Sequence, residues 1–367
     1  SIDTNVLPSL AVLQERLGLS KAELKKVVLG VPSVLGFSID ANVLPSLRVM
    51  QERLGLSEAK LKKVVLKKPN VLAYSIDANV LPSLSVLHER LRVLKFSKKD
   101  LKKVVLTCPS MLAFSIDKNV LAPLIVLQEV LRLSNAELKK VILKNPSLLS
   151  LSINANLVPS LAVLQERLCL GLSEAELKKV ILGKPSVMSL SFDANVLPSL
   201  SALQDVLGLS EAELKKVVLR CPSVMSYSID ANILPALSAL QECMGLSKTE
   251  IKKVVLRQPS VLGLSIDANV LPMLSILQER LALSKAELKK VVLRQPSVLS
   301  LSIDANMLPS FSVLQARLGL SKTELKKVFL RVPSLLGFSI DAKVLPSLAR
   351  LQERLALSEA ELKKVVL

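Results

Sequence analysis

One histidine, four cysteines and a set of repeated Lys-Lys pairs are the groups in this 367-residue chain on which chemistry could be built. A single imidazole, His88, excludes a His-rich metal site and leaves Ser-His or Cys-His nucleophilic catalysis without support. Cys108, Cys169, Cys221 and Cys243 form no C-x-x-C pair and no regular framework, so they read as free buried thiols of a reducing compartment. Cys108 and Cys221 share one repeat position before a proline, in different repeats and with no His nearby, which supports neither a metal site nor a nucleophile. The recurring D-A-N triplets resemble the start of a calcium loop. The following Gly and twelfth-position Glu are missing, so helix capping accounts for them better. The expectation is a protein that is not an enzyme, with no cofactor, no metal and no small-molecule substrate.

What remains is charge. Lys and Arg number 49 against 31 Asp and Glu, a formal net charge of +18. Ten Lys-Lys pairs, from Lys25-Lys26 to Lys363-Lys364, hold 20 of the basic residues; without them 29 basic residues face 31 acidic ones. A uniform, regularly spaced cationic feature suits phosphate contacts better than any bond-making chemistry.

The elements that position those lysines are internal repeats. S-I-D or a close variant begins at Ser1, Ser38, Ser75, Ser115, Ser152, Ser191, Ser228, Ser265, Ser302 and Ser339, and most spacings are 37 residues. All 19 prolines fall at two repeat positions, so none marks a linker. The expected architecture is all-α: a helical-repeat solenoid of about ten 37-residue units over residues 1–367, incomplete at both ends, each unit two helices plus a short 3₁₀ turn. Opening inside a unit and stopping at Leu367, with no polar capping repeat, is the pattern of a fragment or an idealised array.

Within a unit, the first helix is expected to start near Asp40 and Asn42 as N-caps, with Pro45 in the first turn, an apolar face of Leu44, Leu47, Val49 and Leu54, and Gly55 as its stop. A capping box, Ser20 with Glu23, opens the second helix; Leu24, Val27 and Val28 form its core face and Pro32 ends it. Glu recurs at that box position in eight of ten repeats, the exceptions being Lys60 and Asp100. P-S-V-L-G-F fits a tight or 3₁₀ turn. Extra residues at Arg92 to Phe96 and Cys169 to Leu172 fall between the helices, where the stacking tolerates them. Phe37, Tyr74, Phe114, Tyr227 and Phe338 share one turn position with Leu and read as inter-repeat core.

The string L-S-K-A-E-L-K-K-V-V-L-R-Q-P-S-V-L-S-L-S-I-D-A-N-V-L-P-S-L resembles the repeat of the mitochondrial transcription termination factor (mTERF) family, and the likeness recurs along all 367 residues. The resemblance implies a right-handed superhelix whose basic concave groove binds nucleic acid in a mitochondrion or chloroplast, without catalysis. The first residue is Ser1 rather than Met, and a targeting peptide is expected to be either absent or already removed.

At about 100° per residue, the second Lys of each pair, the capping-box Glu and the residue four beyond that Lys share an outward face. The later position is basic in six repeats, giving the pairs Lys63/Lys67, Lys140/Lys144, Lys216/Arg220, Lys253/Arg257, Lys290/Arg294 and Lys327/Arg331. With stacked helices roughly 8–10 Å apart, these twelve residues should line up as a basic stripe. The competing reading is a solvated face in which Glu23 pairs with Lys26. Like charges at i,i+4 are mildly unfavourable in a helix, however, and their repetition points to an anionic partner. Double-stranded DNA or structured RNA, held by phosphates, is therefore the expected partner; a protein scaffold for an acidic partner is the alternative. Base stacking is not expected from nine aromatics and no Trp. A membrane span is rejected as well. The longest uncharged run, Asn145 to Gln165, contains Pro146, Pro159, three Asn and four Ser.

Overall fold

The computed structural model describes residues 6–113, 122–152, 158–164, 171–337, 340 and 344–367. The chain divides into two compact units, Ser1–Leu190 and Ser191–Leu367. In each, the two-helix repeat stacks as a helical solenoid, and no strand occurs among the described residues. One repeat runs through a π turn (Ile39–Val43), a first helix (Leu44–Leu54), a second helix (Glu58–Lys67) and a 3₁₀ turn (Pro69–Ala73).

The first helix departs from the expected start. Its cap is Ser38, whose Oγ accepts the Ala41 N–H at 3.1 Å, and not Asp40 or Asn42. The Asn acts in reverse: Asn79, Asn232, Asn269 and Asn306 accept the N–H of the serine four residues earlier at 2.9–3.2 Å. This is a capping box widened by one residue, because the turn it closes is a π turn with Leu44 N–H bonded to the Ile39 carbonyl. Pro45 explains the widening. Its ring would crowd the carbonyl four residues back in an α turn, and the longer turn opens that space. The register of the buried face shifts accordingly: Val43, Leu47 and Met50 are buried, whereas Leu44, Val49 and Leu54 are only half-buried.

The other expected signals form as read. Leu61, Val64 and Val65 of the second helix are buried, and Val71 and Leu72 of the 3₁₀ turn complete the core between repeats. The serine after the first-helix proline adds a buried polar tie, since Ser46 Oγ donates to Asn42 O at 2.9 Å and Ser83 Oγ to Leu112 O in the 3₁₀ turn of its own repeat at 3.2 Å. Such a hydroxyl is tolerated inside only with a partner. Phe37, Tyr74 and Tyr227 are half-buried at the turn, while Phe114 and Phe338 lie outside the described residues. A methyl group on Gly263 would come within 2.3 Å of the Tyr227 ring, so that ring occupies space the missing side chain leaves.

The first helices stop at a left-handed residue: Gly18, Gly55, Gly208, Gly245 and Gly319 have φ of 56–64°. Four non-glycine residues take the same conformation, Lys95, Arg132, Ala282 and Ala356, at φ of 46–55°. The insertion at Arg92 to Phe96 is absorbed here. Lys95 takes the left-handed position and Phe96 is buried where Leu56 lies in the preceding repeat. Cys169 lies outside the described residues. A side chain in this region costs roughly 1 kcal/mol, more than glycine's extra unfolded-state entropy. Ala282→Gly and Ala356→Gly should therefore each raise the thermal unfolding midpoint, whereas Gly208→Ala should lower it, as followed by circular dichroism.

Candidate nucleic-acid interface

The ten Lys-Lys pairs lie on the second helices, and the two lysines of a pair have different fates. In the second to fifth and the seventh to tenth repeats, the first lysine is partly buried and reaches back to the preceding repeat. Lys62 Nζ sits 2.8 Å from Glu23 Oε2 and donates to Gly18 O at 2.6 Å. The arrangement recurs with Lys252 on Glu213 and Gly208 O (2.7 and 2.7 Å), Lys289 on Glu250 and Gly245 O (2.7 and 3.1 Å), and Lys326 on Glu287 and Ala282 O (2.8 and 3.0 Å). Lys139, Lys178 and Lys363 do the same with Asp100, Glu137 and Glu324. Each ammonium thus bridges the carboxylate of one capping box and the carbonyl of the left-handed residue ahead of it.

Local sequence prepares both acceptors. The capping box holds the carboxylate in place; Ser210 N–H donates to Glu213 Oε2 at 2.8 Å while Glu213 N–H donates to Ser210 Oγ at 3.2 Å. The left-handed stop turns its own carbonyl out of the first helix. A charge-assisted bond from the neighbouring lysine then satisfies it. Glu23 consequently pairs with Lys62 across repeats, not with Lys26 along its helix. Lys60 supplies no carboxylate, so Lys102 keeps only the carbonyl of Gly55. Asp100 is long enough to form the box and to accept Lys139 at 2.8 Å.

The hydrogen bond from Lys139, then that from the Ser97 amide, holds Asp100 at a pKa of about 2. Glu137, Glu250 and Glu287 are held at about 2 by Lys178, Lys289 and Lys326 in the same order of causes. For Glu324, also at about 2, the Ser321 amide contributes more than Lys363.

The six later basic residues are committed too. Arg220 Nη1 donates to the carbonyls of Leu256 and Arg257 at 2.8 and 3.1 Å, and Arg257 Nη1 to those of Leu293 and Arg294 at 2.8 and 3.4 Å. Arg294 meets Leu330 O at 3.4 Å and Arg331 meets Leu367 O at 2.8 Å. Lys144 reaches Leu182 O at 2.7 Å, and Lys67 reaches Thr107 O. Each cation caps the C-terminus of the next second helix, where unpaired carbonyls and the helix dipole favour positive charge. The like-charge cost within a helix therefore has a partner inside the fold, and an anionic ligand is not required to explain it. These residues stay exposed, so their charge still reaches solvent.

The second lysine of each pair is left. Lys63, Lys103, Lys140, Lys179, Lys216, Lys253, Lys290 and Lys327 are exposed, and none has a hydrogen-bond or ion-pair partner among the described residues. Of the twelve stripe residues expected from sequence, Lys63, Lys140, Lys216, Lys253, Lys290 and Lys327 are uncommitted; Lys67, Lys144, Arg220, Arg257, Arg294 and Arg331 double as helix caps. Lys103 and Lys179 belong to the same row, and the sequence pairing rule passed them over because Thr107 and Gly183 follow them.

Two outcomes follow from the clamps. A carboxylate pKa lowered in the folded state contributes stability that is complete above its ordinary value of 4.5 and is lost as pH falls toward about 2. The thermal midpoint should hold down to about pH 5 and fall steeply between pH 4.5 and 2, with Glu250→Gln showing a shallower fall. Lys60→Glu completes a missing capping box and faces Lys102, and should stabilise the fold by about 1 kcal/mol in urea unfolding.

Among the described residues, no group of His, Cys, Asp and Glu could hold a metal ion, and no helix is long and apolar enough to cross a membrane. No curated protein matches the sequence. The mTERF family profile, by contrast, matches residues 2–167, 117–244 and 232–367. With capped second helices, proline-led 3₁₀ turns and a family match along nearly its whole length, the chain belongs to the mTERF family, in general one of organellar nucleic-acid-binding regulators.

Proposed function

We propose that this protein binds duplex DNA or structured RNA through phosphates along the row of second lysines, and that it acts in mitochondrial or chloroplast gene expression by positioning or blocking, without chemistry of its own. One observation carries this reading: in eight repeats the fold engages the first lysine while its neighbour is exposed and unpartnered among the described residues. Unpaired ammonium groups repeated at each helix match a polyanion that offers one charge per roughly 1.7 Å of duplex axis. Recognition runs through the backbone, because the second-helix face carries no aromatic platform for bases.

The two lysines of a pair make the test internal. Converting Lys216, Lys253, Lys290 and Lys327 to Gln should reduce the slope of log K against log salt on duplex DNA by about 3.6 while the thermal midpoint holds. Converting Lys252, Lys289 and Lys326 instead should lower the midpoint and change the slope less. Fluorescence anisotropy with a DNA duplex and an RNA hairpin, over about 50 to 300 mM KCl, reads both. An unchanged slope in the first variant would refute the row as the binding surface.

A further inference from the structure

Three second helices of the first unit, ending at Gly30, Thr107 and Gly183, lack the crossing cation, and at Thr107 the gap is lined by lysines. The residue that ends helix Lys98–Thr107 is Thr107, where six other repeats carry Lys or Arg. Its hydroxyl turns back to Lys103 O at 2.8 Å and cannot reach the next helix, Asn135–Lys144. The space a long side chain would cross is open: a cleft of about 500 Å³ lined by Lys103, Thr107, Lys139, Lys140, Lys144 and an apolar floor of Ala136, Leu143 and Pro146.

The charge in the cleft is unbalanced. Lys139 is matched by Asp100 at 2.8 Å, and Lys144 donates to Leu182 O at 2.7 Å. Lys103 and Lys140 have no partner among the described residues, and no acidic residue lines the walls. The C-terminus of helix Asn135–Lys144 contributes only about half a negative charge, less than the three ammonium groups of Lys103, Lys140 and Lys144, which have no carboxylate partner. The ligand this environment fits is an anion with an apolar body.

The geometry points to a nucleotide-binding site between these two helices, with the phosphates on Lys103 and Lys140 and the sugar and base against Ala136, Leu143 and Pro146. The nucleotide is either free or one unit of a nucleic-acid strand, and it is bound without turnover. The site shares Lys103 and Lys140 with the row proposed above, and its strand arm rests on that reading; the variants that test the row lie in the second unit, so the two can fail separately.

Isothermal titration of the full chain with ADP, pyrophosphate and adenosine tests it. ADP should saturate a single site, with pyrophosphate and adenosine each at least about tenfold weaker. Thr107→Arg restores the crossing side chain, toward the carbonyls of Leu143 and Lys144. It should weaken ADP binding at least about tenfold while the thermal midpoint holds or rises. Lys103→Gln with Lys140→Gln should weaken ADP binding equally and provides an independent check of the same site. Anisotropy on a DNA duplex separates the two sources. If Thr107→Arg weakens duplex binding and ADP competes with the duplex, the site takes a unit of the strand; if the duplex is unaffected, the site takes the free nucleotide. Absence of ADP saturation at millimolar concentration, or ADP binding that survives Thr107→Arg, overturns the assignment.

Discussion

Within each unit an ammonium group ties a repeat to the one before it, shared between a carboxylate and a carbonyl at every such contact except that of Lys102. The carboxylate belongs to a capping box, in which the serine amide donates to it while the glutamate amide donates to the serine hydroxyl, before any neighbour arrives. The carbonyl belongs to a left-handed helix stop, which has turned it away from its own helix. Three local features that look independent along the sequence (S-x-x-E, the glycine stop and the first lysine) thus meet in one contact. An exposed ion pair alone contributes little. Here one donor satisfies two preorganised acceptors, and the contact recurs at successive interfaces. A solenoid whose stability is a sum of nearest-neighbour terms responds to such a repeated contribution.

That contact also divides the charge of the molecule. The first lysines are absorbed by neighbouring acids, and the later Arg and Lys residues neutralise helix ends. The second lysines, next to the first in sequence but about 100° around the helix, fall outside both arrangements. A repeat protein can in this way hold itself together and present a cationic row with one dipeptide. The structural half of the pair fixes the rotation of each helix, and rotation fixes where the other half points.

Departures from the repeat are as informative as its regularity. Lys60 removes one acceptor and leaves Lys102 with a carbonyl alone. Lys95, Arg132, Ala282 and Ala356 accept backbone strain where glycine serves elsewhere. Thr107 opens a gap between helices that a longer residue would bridge. Each lies at a contact between repeats, where one substitution alters a neighbour some 40 residues away.

Most of the fold was legible in the sequence. The 37-residue period, the prolines and the capping boxes each act over three or four residues, and local geometry fixes their outcome. Ser38 in place of Asp40 as the cap was not legible, because a π turn spaces its bonds by one more residue than the α pattern assumes. The position of the charge was legible as a count and a face. Its partition was legible only in part: helical periodicity put Lys253 on the outward face, but nothing along the chain gave Lys252 its partners. Glu213 and Gly208 O, which decide the matter, lie 39 and 44 residues earlier. The sequence by itself determined the helices, their caps and their period, because those depend on neighbours along the chain. Only the stacking of one repeat on the next decided which lysines hold the fold, because an ammonium group is satisfied by whatever acceptors packing brings within about 3 Å.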